Sequence, residues 1–364
     1  MANCTVCGKQ TTKQCGKCSN AWYCRTECQR SDWKNHKKAC KYPFEIKESE
    51  GKGLGLFATR DLQIGDLVLC EDPIIYLSDG IKGVLKSPQT FKHTYENLGV
   101  EERNKILALV GADNDLTACN LVMESCLDSS SRKEDQEWKR ALRIYGRNAI
   151  AVDDSGSALF STISRINHSC SPNVDWSYLE NHRTRKEVRA IRNIKVGEEV
   201  LVDYIPKSES FPVTSDRKEA LRWGWHFECV CSLCSLDHDE NDALRKIVQQ
   251  LHDSVLNCGR REDVEGAANA ALQKCKLLEK CEDLKIHLPV AYMELYETLI
   301  MLNLYRRAYG INDALMAKVA DRREEYREKA YKHCRRTKLY IDKAMYNKKI
   351  KRLAMMGGSH ILLR

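Results

Sequence analysis

The stretch RINHSCSPNV, residues 165–174, contains an Asn-His-Ser-Cys run followed by a Pro-Asn pair. Cys170 lies two residues after His168, so on a β-strand both side chains would lie on the same face. This spacing fits a cysteine nucleophile with its histidine base, and it equally fits a cysteine that binds a metal. The other cysteines of the chain bear on this choice.

The composition indicates a multi-module protein in a reducing compartment. The chain has 364 residues, of which 43% are hydrophobic, and no stretch approaches the roughly 20 apolar residues of a membrane span. MANCTVCGKQ at the N-terminus lacks the apolar region of a secretory signal. We therefore expect the cytoplasm and/or the nucleus, where 18 cysteines indicate metal sites rather than disulfides.

The first forty residues carry eight cysteines and histidines in the spacing C-x2-C-x7-C-x2-C-x5-C-x3-C-x7-H-x3-C. Eight such ligands suit two tetrahedral zinc ions. A segment this short cannot build a sufficient apolar core, so zinc would supply the folding free energy, about 10–16 kcal/mol per ion. Because protein groups fill every coordination position, these sites are predicted to be structural.

A second cluster, CVCSLC, contains Cys229, Cys231 and Cys234. Three thiols leave a tetrahedral zinc site incomplete, and Cys170 is the natural candidate for the fourth ligand. The metal-ligand interpretation of Cys170 is therefore favoured, and catalysis by Cys170 with His168 is the alternative.

The zinc ligands also change the interpretation of the net charge. The formal charge of +8 suggests a polyanionic partner. Eleven thiolates and three Zn²⁺ ions would lower it to about +3. The basic clusters at 34–41 and 347–352 are accordingly interpreted as solvated faces, and neither a nucleic acid nor a membrane is an expected partner.

Two further stretches have strand character. ESEGKGLGLFATRDLQIGDLVL (48–69) is a glycine-rich turn followed by an alternating apolar run, which predicts two antiparallel strands. VRAIRNIKVGEEVLVDYI (188–205) predicts a strand, a turn at VGEE and a second strand.

The order of these stretches with NHSCSPN and CVCSLC resembles the SET family of S-adenosylmethionine-dependent protein lysine methyltransferases. The N-terminal ligand order, with WYC at 22–24 and CQRSDWKNHKKAC, resembles a MYND finger. Together they resemble the SMYD-type enzymes over roughly residues 1–236.

This resemblance implies how twelve ligands would share three structural zinc ions. The two finger sites and the site beside the active centre would be Cys4, Cys7, Cys24 and Cys28; Cys15, Cys18, His36 and Cys40; and Cys170, Cys229, Cys231 and Cys234. MYND fingers mostly bind proline-rich peptides, so such a peptide or another protein is the expected partner of the finger.

The resemblance also implies an S-adenosylmethionine site and a lysine channel. The turn residues would wrap the methionine end of the cofactor, and Asn167 with His168 would hold its amino and adenine groups. Tyr204 would be the catalytic tyrosine. The implied cofactor residues are Lys52, Gly53, Leu54, Asn148, Asn167, His168, Tyr204 and Phe227, and the implied channel residues are Ile150, Tyr204 and Trp225.

The chemistry of methyl transfer fits these residue types. Transfer from a sulfonium to a lysine amine is a direct displacement in which the cofactor carries the reactive group. The protein aligns the reactants, and aromatic walls desolvate the lysine and lower its pKa. No carboxylate base is required.

Two features depart from the usual SMYD pattern. The finger precedes the SET strands instead of interrupting them. Trp225 stands where many members have a tyrosine, and an indole cannot offer a phenol hydroxyl.

The predicted fold class is α+β, with a zinc-bound finger, a β-rich SET domain split by a helical insert, a zinc-binding post-SET segment and an all-helical, TPR-like lobe. In the lobe, Leu295, Leu299 and Leu302 recur at helical spacing. The predicted boundaries are 1–43 for the finger, 44–81 and 147–206 for the SET parts, 82–146 for the insert, 207–236 for the post-SET segment and 237–364 for the lobe. SSSRKEDQ (129–136) is predicted to be a loop of the insert.

Two functions from different classes follow. The first is a protein-lysine N-methyltransferase acting on a histone or another protein. The alternative is a catalytically inactive adaptor that recruits proteins in transcriptional regulation through the finger and the helical lobe. Retention of Asn167, His168 and Tyr204 favours the enzyme, because an inactive site has no chemical need for them.

Overall fold

The structure is a computed structural model that describes residues 2–13, 15–16, 21–110, 133–152, 156–179, 182–205, 211–235, 239–309, 322, 325–330 and 332. The chain divides into two compact units. The first unit is Met1–Tyr204 with Ala220–Cys229, and the second is Ile205–Glu219 with Val230–Arg364.

The strands are short and lie mostly in the first half of the chain. In chain order they are β1 (Ala2–Asn3), β2 (Gln10–Thr11), β3 (Phe44–Ser49), β4 (Gly53–Ala58), β5 (Leu67–Glu71), β6 (Ile75–Leu77), β7 (Ile150–Ala151), β8 (Ser157–Leu159), β9 (Asn167–His168), β10 (Val174–Leu179), β11 (His182–Ala190) and β12 (Glu199–Val202).

Helices occur in both units, and the described residues of the second unit are mostly helical. In chain order they are α1 (Thr26–Ala39), α2 (Gly80–Lys86), α3 (Pro88–Glu96), α4 (Val100–Leu107), α5 (Lys133–Asn148), α6 (Thr214–Trp225), α7 (Ser232–Ser235), α8 (Asp239–Arg260), α9 (Val264–Lys280) and α10 (Leu288–Tyr309). Two 3₁₀ segments occur at Ile163–Arg165 and Glu282–His287.

The central sheet has the strand order β3-β4-β12-β9. Strands β3 and β4 form an antiparallel hairpin, and its turn holds Gly51 and Gly53 at φ angles of 69° and 74°, which glycine adopts without a steric penalty. Strand β12 pairs antiparallel with β4 and parallel with β9. The predicted glycine turn is therefore present, but β4 pairs with β3, and β5 lies in another sheet with the order β10-β11-β5.

A third sheet has the order β6-β8-β7.

The apolar core of the first unit explains which way β12 faces. Val200 and Val202 are buried in this core beside Leu56. Because side chains alternate along a strand, Glu199 and Leu201 lie on the opposite face of β12. Glu199 was predicted to be part of the VGEE turn, whereas the structure places it in β12.

The helical insert of the first unit has its own aromatic core, built from Phe91, Tyr95 and Tyr145 among others. The Tyr145 hydroxyl lies 2.7 Å from Ser157 Oγ, and burial raises the pKa of Tyr145 to about 12. The loop predicted at 129–136 is wrong for its second half, because α5 begins at Lys133.

In the second unit, α9 packs against both α8 and α10. Leu295, Leu299 and Leu302 of α10 are completely buried, which confirms the predicted apolar face. No helix in the described ranges has the length and apolar character needed to cross a membrane. Cys18, the basic cluster at 347–352 and almost all of 311–356 lie outside the described residues, so the TPR-like character of the lobe stays a prediction.

Candidate active site and metal centres

The site is built where β9 runs parallel to β12, which places Asn167 opposite Leu201 and His168 opposite Val202. The chain then loops back, and Asn173 closes the loop with its side chain. Asn173 Nδ2 donates to the Glu199 carbonyl at 2.7 Å, and Asn173 Oδ1 accepts from the Leu201 amide at 2.7 Å. The fully buried side chain of Asn173 thus bonds to the backbone of β12 as a neighbouring strand would. These bonds fix the NHSCSPN loop against β12.

His168 is buried, and its two ring nitrogens have different partners. Nδ1 accepts the backbone N–H of Tyr204 at 3.0 Å, so the neutral ring carries its proton on Nε2. Nε2 lies 3.3 Å from Cys170 Sγ and donates to it. In this arrangement His168 is a donor to Cys170 and cannot act as its base.

Tyr204 lies two residues after the end of β12 and is held by main-chain and ring contacts. Its hydroxyl donates to the Ile166 carbonyl at 2.7 Å. Its ring centroid lies 5.3 Å from that of His168 and 5.4 Å from that of Trp225. Burial raises the pKa of Tyr204 well above its usual value of 10, so its phenol is neutral at physiological pH.

Aromatic rings continue from Tyr204 toward the cysteine cluster. The Phe227 ring lies 5.8 Å from the His168 ring, centroid to centroid. Arg147 Nη2 donates to the Trp225 carbonyl at 3.1 Å and thereby fixes the backbone that presents the indole. Ile150 packs on the same apolar core as Tyr204. The predicted channel residues Ile150, Tyr204 and Trp225 therefore lie in one region of the first unit.

The Asn167 amide lies between the hairpin and β12. Nδ2 donates to Glu199 Oε1 at 2.8 Å and to the Leu54 carbonyl at 3.3 Å. The other carboxylate oxygen of Glu199, Oε2, pairs with Lys52 Nζ at 3.0 Å. The predicted turn residues and Asn167 are thus brought together by a carboxylate that sequence reasoning did not identify.

An open groove lies along the hairpin turn, with a volume of about 620 Å³, and Glu48, Gly53 and Leu54 are among its lining residues. Gly55, the residue after Leu54, allows the side chains of Glu199 and Asn167 to approach β4 closely. A Cβ there would lie 2.5 Å from Glu199 Oε1 and 2.9 Å from Asn167 Nδ2, too close for any side chain.

Asn148 ends α5, and its amide is turned toward carbonyl groups. Nδ2 donates to the Ile144 carbonyl at 2.8 Å and to the Val110 carbonyl at 3.1 Å. Both amide hydrogens have protein acceptors, so Oδ1 is the atom through which Asn148 would meet a ligand. Its cofactor contact stays a prediction.

The cysteines of the N-terminal segment gather in two groups. Cys4, Cys7, Cys24 and Cys28 have all four sulfur atoms within 4.8 Å of one another. The ligand atoms of Cys15, His36 and Cys40 also lie within 4.8 Å, and their predicted partner Cys18 is outside the described residues. The Cys24–Cys28 and Cys15–Cys40 sulfur distances are both 3.7 Å. Zn–S bonds of about 2.3 Å in a tetrahedron separate sulfurs by about 3.8 Å, so the donor sets fit zinc.

A third group contains Cys170, Cys229, Cys231 and Cys234, again within 4.8 Å. Cys170 Sγ lies 3.9 Å from Cys229 Sγ, and Arg217 Nη2 donates to Cys234 Sγ at 3.9 Å. Four thiolates would be strongly negative around Zn²⁺, and donors such as Arg217 and His168 stabilise that charge. The grouping predicted for Cys170 is thus present, and the question raised by the NHSC run is answered in favour of a metal ligand.

Comparison with known families agrees with this geometry. The family model described as the SET domain matches residues 53–205, and the model described as the MYND finger matches residues 4–40. This chain contains a MYND finger followed by a SET domain.

Curated relatives of this MYND–SET protein are lysine methyltransferases. N-lysine methyltransferase SMYD2 of Gallus gallus is 26% identical over 75% of this chain and 61% of its own length. SMYD2-A of Danio rerio is 29% identical over 68% and 53%, and the histone-lysine N-methyltransferase ASHR1 of Arabidopsis thaliana is 26% identical over 78% and 57%. The chain thus spans between 53% and 61% of the length of these relatives.

A solved SET domain of LSMT, bound to lysine and AdoHcy, overlaps 89% of this MYND–SET chain and 92% of its own chain at 14% identity and a TM-score of 0.35.

Sequence reasoning missed three side chains that support the site of this MYND–SET protein: Glu199, Arg147 and Asn173. A signal was present for Glu199, since the alternation in EVLV puts it on the face opposite the buried valines. Asn173 was inside the NHSCSPN motif, but its role requires knowing that the loop returns to β12. Arg147 contacts a carbonyl 78 residues away, and no local pattern indicates that contact.

Proposed function

We propose that this protein is an S-adenosylmethionine-dependent protein-lysine N-methyltransferase. The SET match and the lysine methyltransferases among its relatives support this activity. The observation that carries it is the position of Tyr204. Its neutral hydroxyl is fixed on the Ile166 carbonyl, next to Asn167 and His168, and its ring packs against Trp225.

The residues present fit the methionine end of the cofactor. The Asn167 amide, the Leu54 carbonyl and Lys52 converge beside the open groove, and Gly55 leaves the space that a Cβ would fill. Asn167 and His168 would hold the amino and adenine groups, and Lys52, Gly53 and Leu54 would border the methionine end. Asn148 and Phe227 would complete the site. When bound, S-adenosylmethionine supplies an electrophilic methyl group on its sulfonium.

Residues of the first unit would prepare the lysine amine. Trp225, Tyr204 and Ile150 form apolar walls that exclude water, and desolvation favours the uncharged, nucleophilic form of an amine. Tyr204 cannot ionise near neutral pH, so its hydroxyl contributes a fixed dipole rather than a proton acceptor. These side chains orient and desolvate the amine, and a carboxylate base is not needed.

The finger supports a protein partner. Trp33 of α1 is 45% exposed beside the ring of His36, in a module whose two groups of metal ligands suit structural zinc ions. We propose that a proline-rich peptide or another protein binds there. The protein substrate carrying the target lysine is the second partner, and the cytoplasm and/or the nucleus is the proposed location.

The competing candidate is an inactive adaptor, and Trp225 is the residue that favours it, because it offers no phenol hydroxyl. Calorimetry with S-adenosylmethionine and a radiolabelled methyl-transfer assay on histones and cell proteins separate the two candidates. Micromolar binding with lysine labelling is expected for the enzyme. Absence of cofactor binding by the zinc-loaded protein would leave the adaptor as the better candidate.

A further inference from the structure

Glu199 links the two groups that border the proposed cofactor site. Its Oε1 accepts from Asn167 Nδ2 at 2.8 Å and its Oε2 pairs with Lys52 Nζ at 3.0 Å. The carboxylate side chain is 13% exposed, against 36% for Lys52, so Glu199 is the more buried partner of this pair.

This contact determines which way the Asn167 amide points. An ionised carboxylate only accepts hydrogen bonds, so the atom of Asn167 that faces Glu199 must be the NH₂ group. The Leu54 carbonyl, also an acceptor, receives the second amide hydrogen at 3.3 Å. Both hydrogens of Nδ2 are therefore used, and Oδ1 is the atom left to face a ligand.

Gly55 shows that this arrangement is tightly built. A Cβ at that position would lie 2.5 Å from Glu199 Oε1 and 2.9 Å from Asn167 Nδ2. A glycine in β4 therefore allows the carboxylate and the amide to meet.

We infer that Glu199 is a positioning residue, which fixes the amide of Asn167 so that Oδ1 accepts a hydrogen bond from the protonated α-amino group of the cofactor. Lys52 acts one step further out, because it engages the second carboxylate oxygen and so orients Glu199. This inference rests on the proposed function and adds to it an oriented hydrogen-bond acceptor, Asn167 Oδ1, that favours ligands with the α-amino group of the cofactor.

The test compares two ligands on the full chain: S-adenosylhomocysteine and its analogue without the α-amino group. In the wild type, the amino compound should bind about tenfold or more tightly than the analogue, as for a hydrogen bond to a charged group. In Glu199→Gln, Lys52 should donate to the side-chain oxygen of the introduced glutamine. The NH₂ group of that glutamine then faces Asn167. Asn167 then turns its own NH₂ outward, and the ratio of affinities should fall to threefold or less.

A double variant separates positioning from simple loss of charge. With Lys52→Met added to Glu199→Gln, the amide oxygen is free to accept from Asn167 Nδ2, and the ratio should recover to near the wild-type value. If Glu199 acted through its charge alone, the ratio would stay low in the double variant. Lys52→Met alone is measured beside the double variant, so that a direct contribution of Lys52 to the affinity of either ligand is counted separately.

Glu45→Gln is the matched control, since it removes the same charge from an exposed position of the neighbouring strand β3 and should keep the wild-type ratio. Where Glu199→Gln fails to fold in thermal unfolding, Gly55→Ala replaces it and should also lower the ratio, because its methyl group displaces the carboxylate. An unchanged ratio in Glu199→Gln or in Gly55→Ala, or equal weakening of both ligands, overturns the role of Glu199. A wild type that binds neither ligand overturns the proposed function instead.

Discussion

His168 Nε2 lies 3.3 Å from Cys170 Sγ, while Nδ1 of the same ring accepts the backbone N–H of Tyr204. One imidazole therefore joins the thiol of the third cysteine group to the tyrosine proposed to act in methyl transfer. The two hydrogen bonds of His168 are coupled, because the bond that Nδ1 accepts fixes the tautomer in which Nε2 donates to sulfur. The third metal centre and the position of Tyr204 should consequently respond to the same substitutions.

We expect the purified protein to contain three zinc ions per chain, in agreement with its three ligand groups. Cys170→Ser should lower the content to two and destabilise the protein, because a tetrahedral site loses one of four thiolates and leaves three others uncompensated. Elemental analysis and thermal unfolding measure both effects. Loss of activity with three zinc ions and unchanged stability would instead restore the nucleophile interpretation of Cys170.

Replacement of His168 by Ala should weaken the third zinc site without removing a ligand. Removing a hydrogen-bond donor to a ligating group usually costs 10- to 100-fold in metal affinity. Competition with a chelator such as EDTA should show one zinc ion lost early in the variant and none in the wild type. His93→Ala, which changes an exposed histidine of α3, is the control and should keep all three. Equal retention of zinc in both variants would contradict the link between His168 and Cys170.

The pKa of Tyr145 predicts a loss of stability in alkali. An unfolded tyrosine ionises near pH 10, whereas burial raises the pKa of Tyr145 to about 12 in the folded protein. The folded state then binds the proton more tightly, so the unfolding free energy falls as pH rises from 10 to 12, by about 3 kcal/mol for this residue.

Denaturant unfolding at a series of pH values measures this loss. Tyr145→Phe should be less stable than the wild type at pH 8, since it loses the hydrogen bond to Ser157, worth about 1 kcal/mol. Its stability should then decline less steeply above pH 10. Parallel curves for the two proteins would show that Tyr145 does not contribute to the alkaline decline.

The parts of the molecule that were predictable are those set by residues close in sequence. The grouping of Cys4, Cys7, Cys24 and Cys28 was inferred from ligand spacing and a family resemblance, and the buried face of α10 from helical periodicity. The interleaved pairing of these cysteines was implied by the resemblance, whereas the periodicity of α10 is a local property, in which few intervening residues leave little freedom. The glycine turn of the β3–β4 hairpin was predictable for the same reason.

Contacts made by distant segments escaped sequence reasoning. Lys52 and Glu199 are 147 positions apart, and their meeting depends on β12 lying between β4 and β9. The assignment of Glu199 to a turn failed because strand pairing, which local propensity does not encode, extends β12 by one residue toward the turn. Arg147 was missed because its partner is a backbone carbonyl, which carries no sequence signature.

Asn167 and Tyr204 have different predicted tasks, so their variants should differ in kind. Asn167→Ala removes the amide that is oriented by Glu199 and leaves polar groups of the cofactor unsatisfied. This should cost about 1–3 kcal/mol, or roughly ten- to a hundredfold in cofactor affinity. Tyr204→Phe keeps the ring contacts with His168 and Trp225, and cofactor affinity should stay within a few-fold of the wild type.

The effect of Tyr204→Phe should instead fall on turnover, because a group that stabilises the transition state more than the ground state changes the rate rather than the affinity. Cofactor titrations by calorimetry and single-turnover methylation of a lysine substrate, both at saturating zinc, measure the two quantities separately. The opposite pattern, with Asn167→Ala impaired only in turnover and Tyr204→Phe impaired only in cofactor affinity, would require the roles of the two residues to be exchanged. Since the Tyr204 hydroxyl is held on the Ile166 carbonyl at 2.7 Å, a fully active phenylalanine variant would mean that this hydroxyl serves the fold alone.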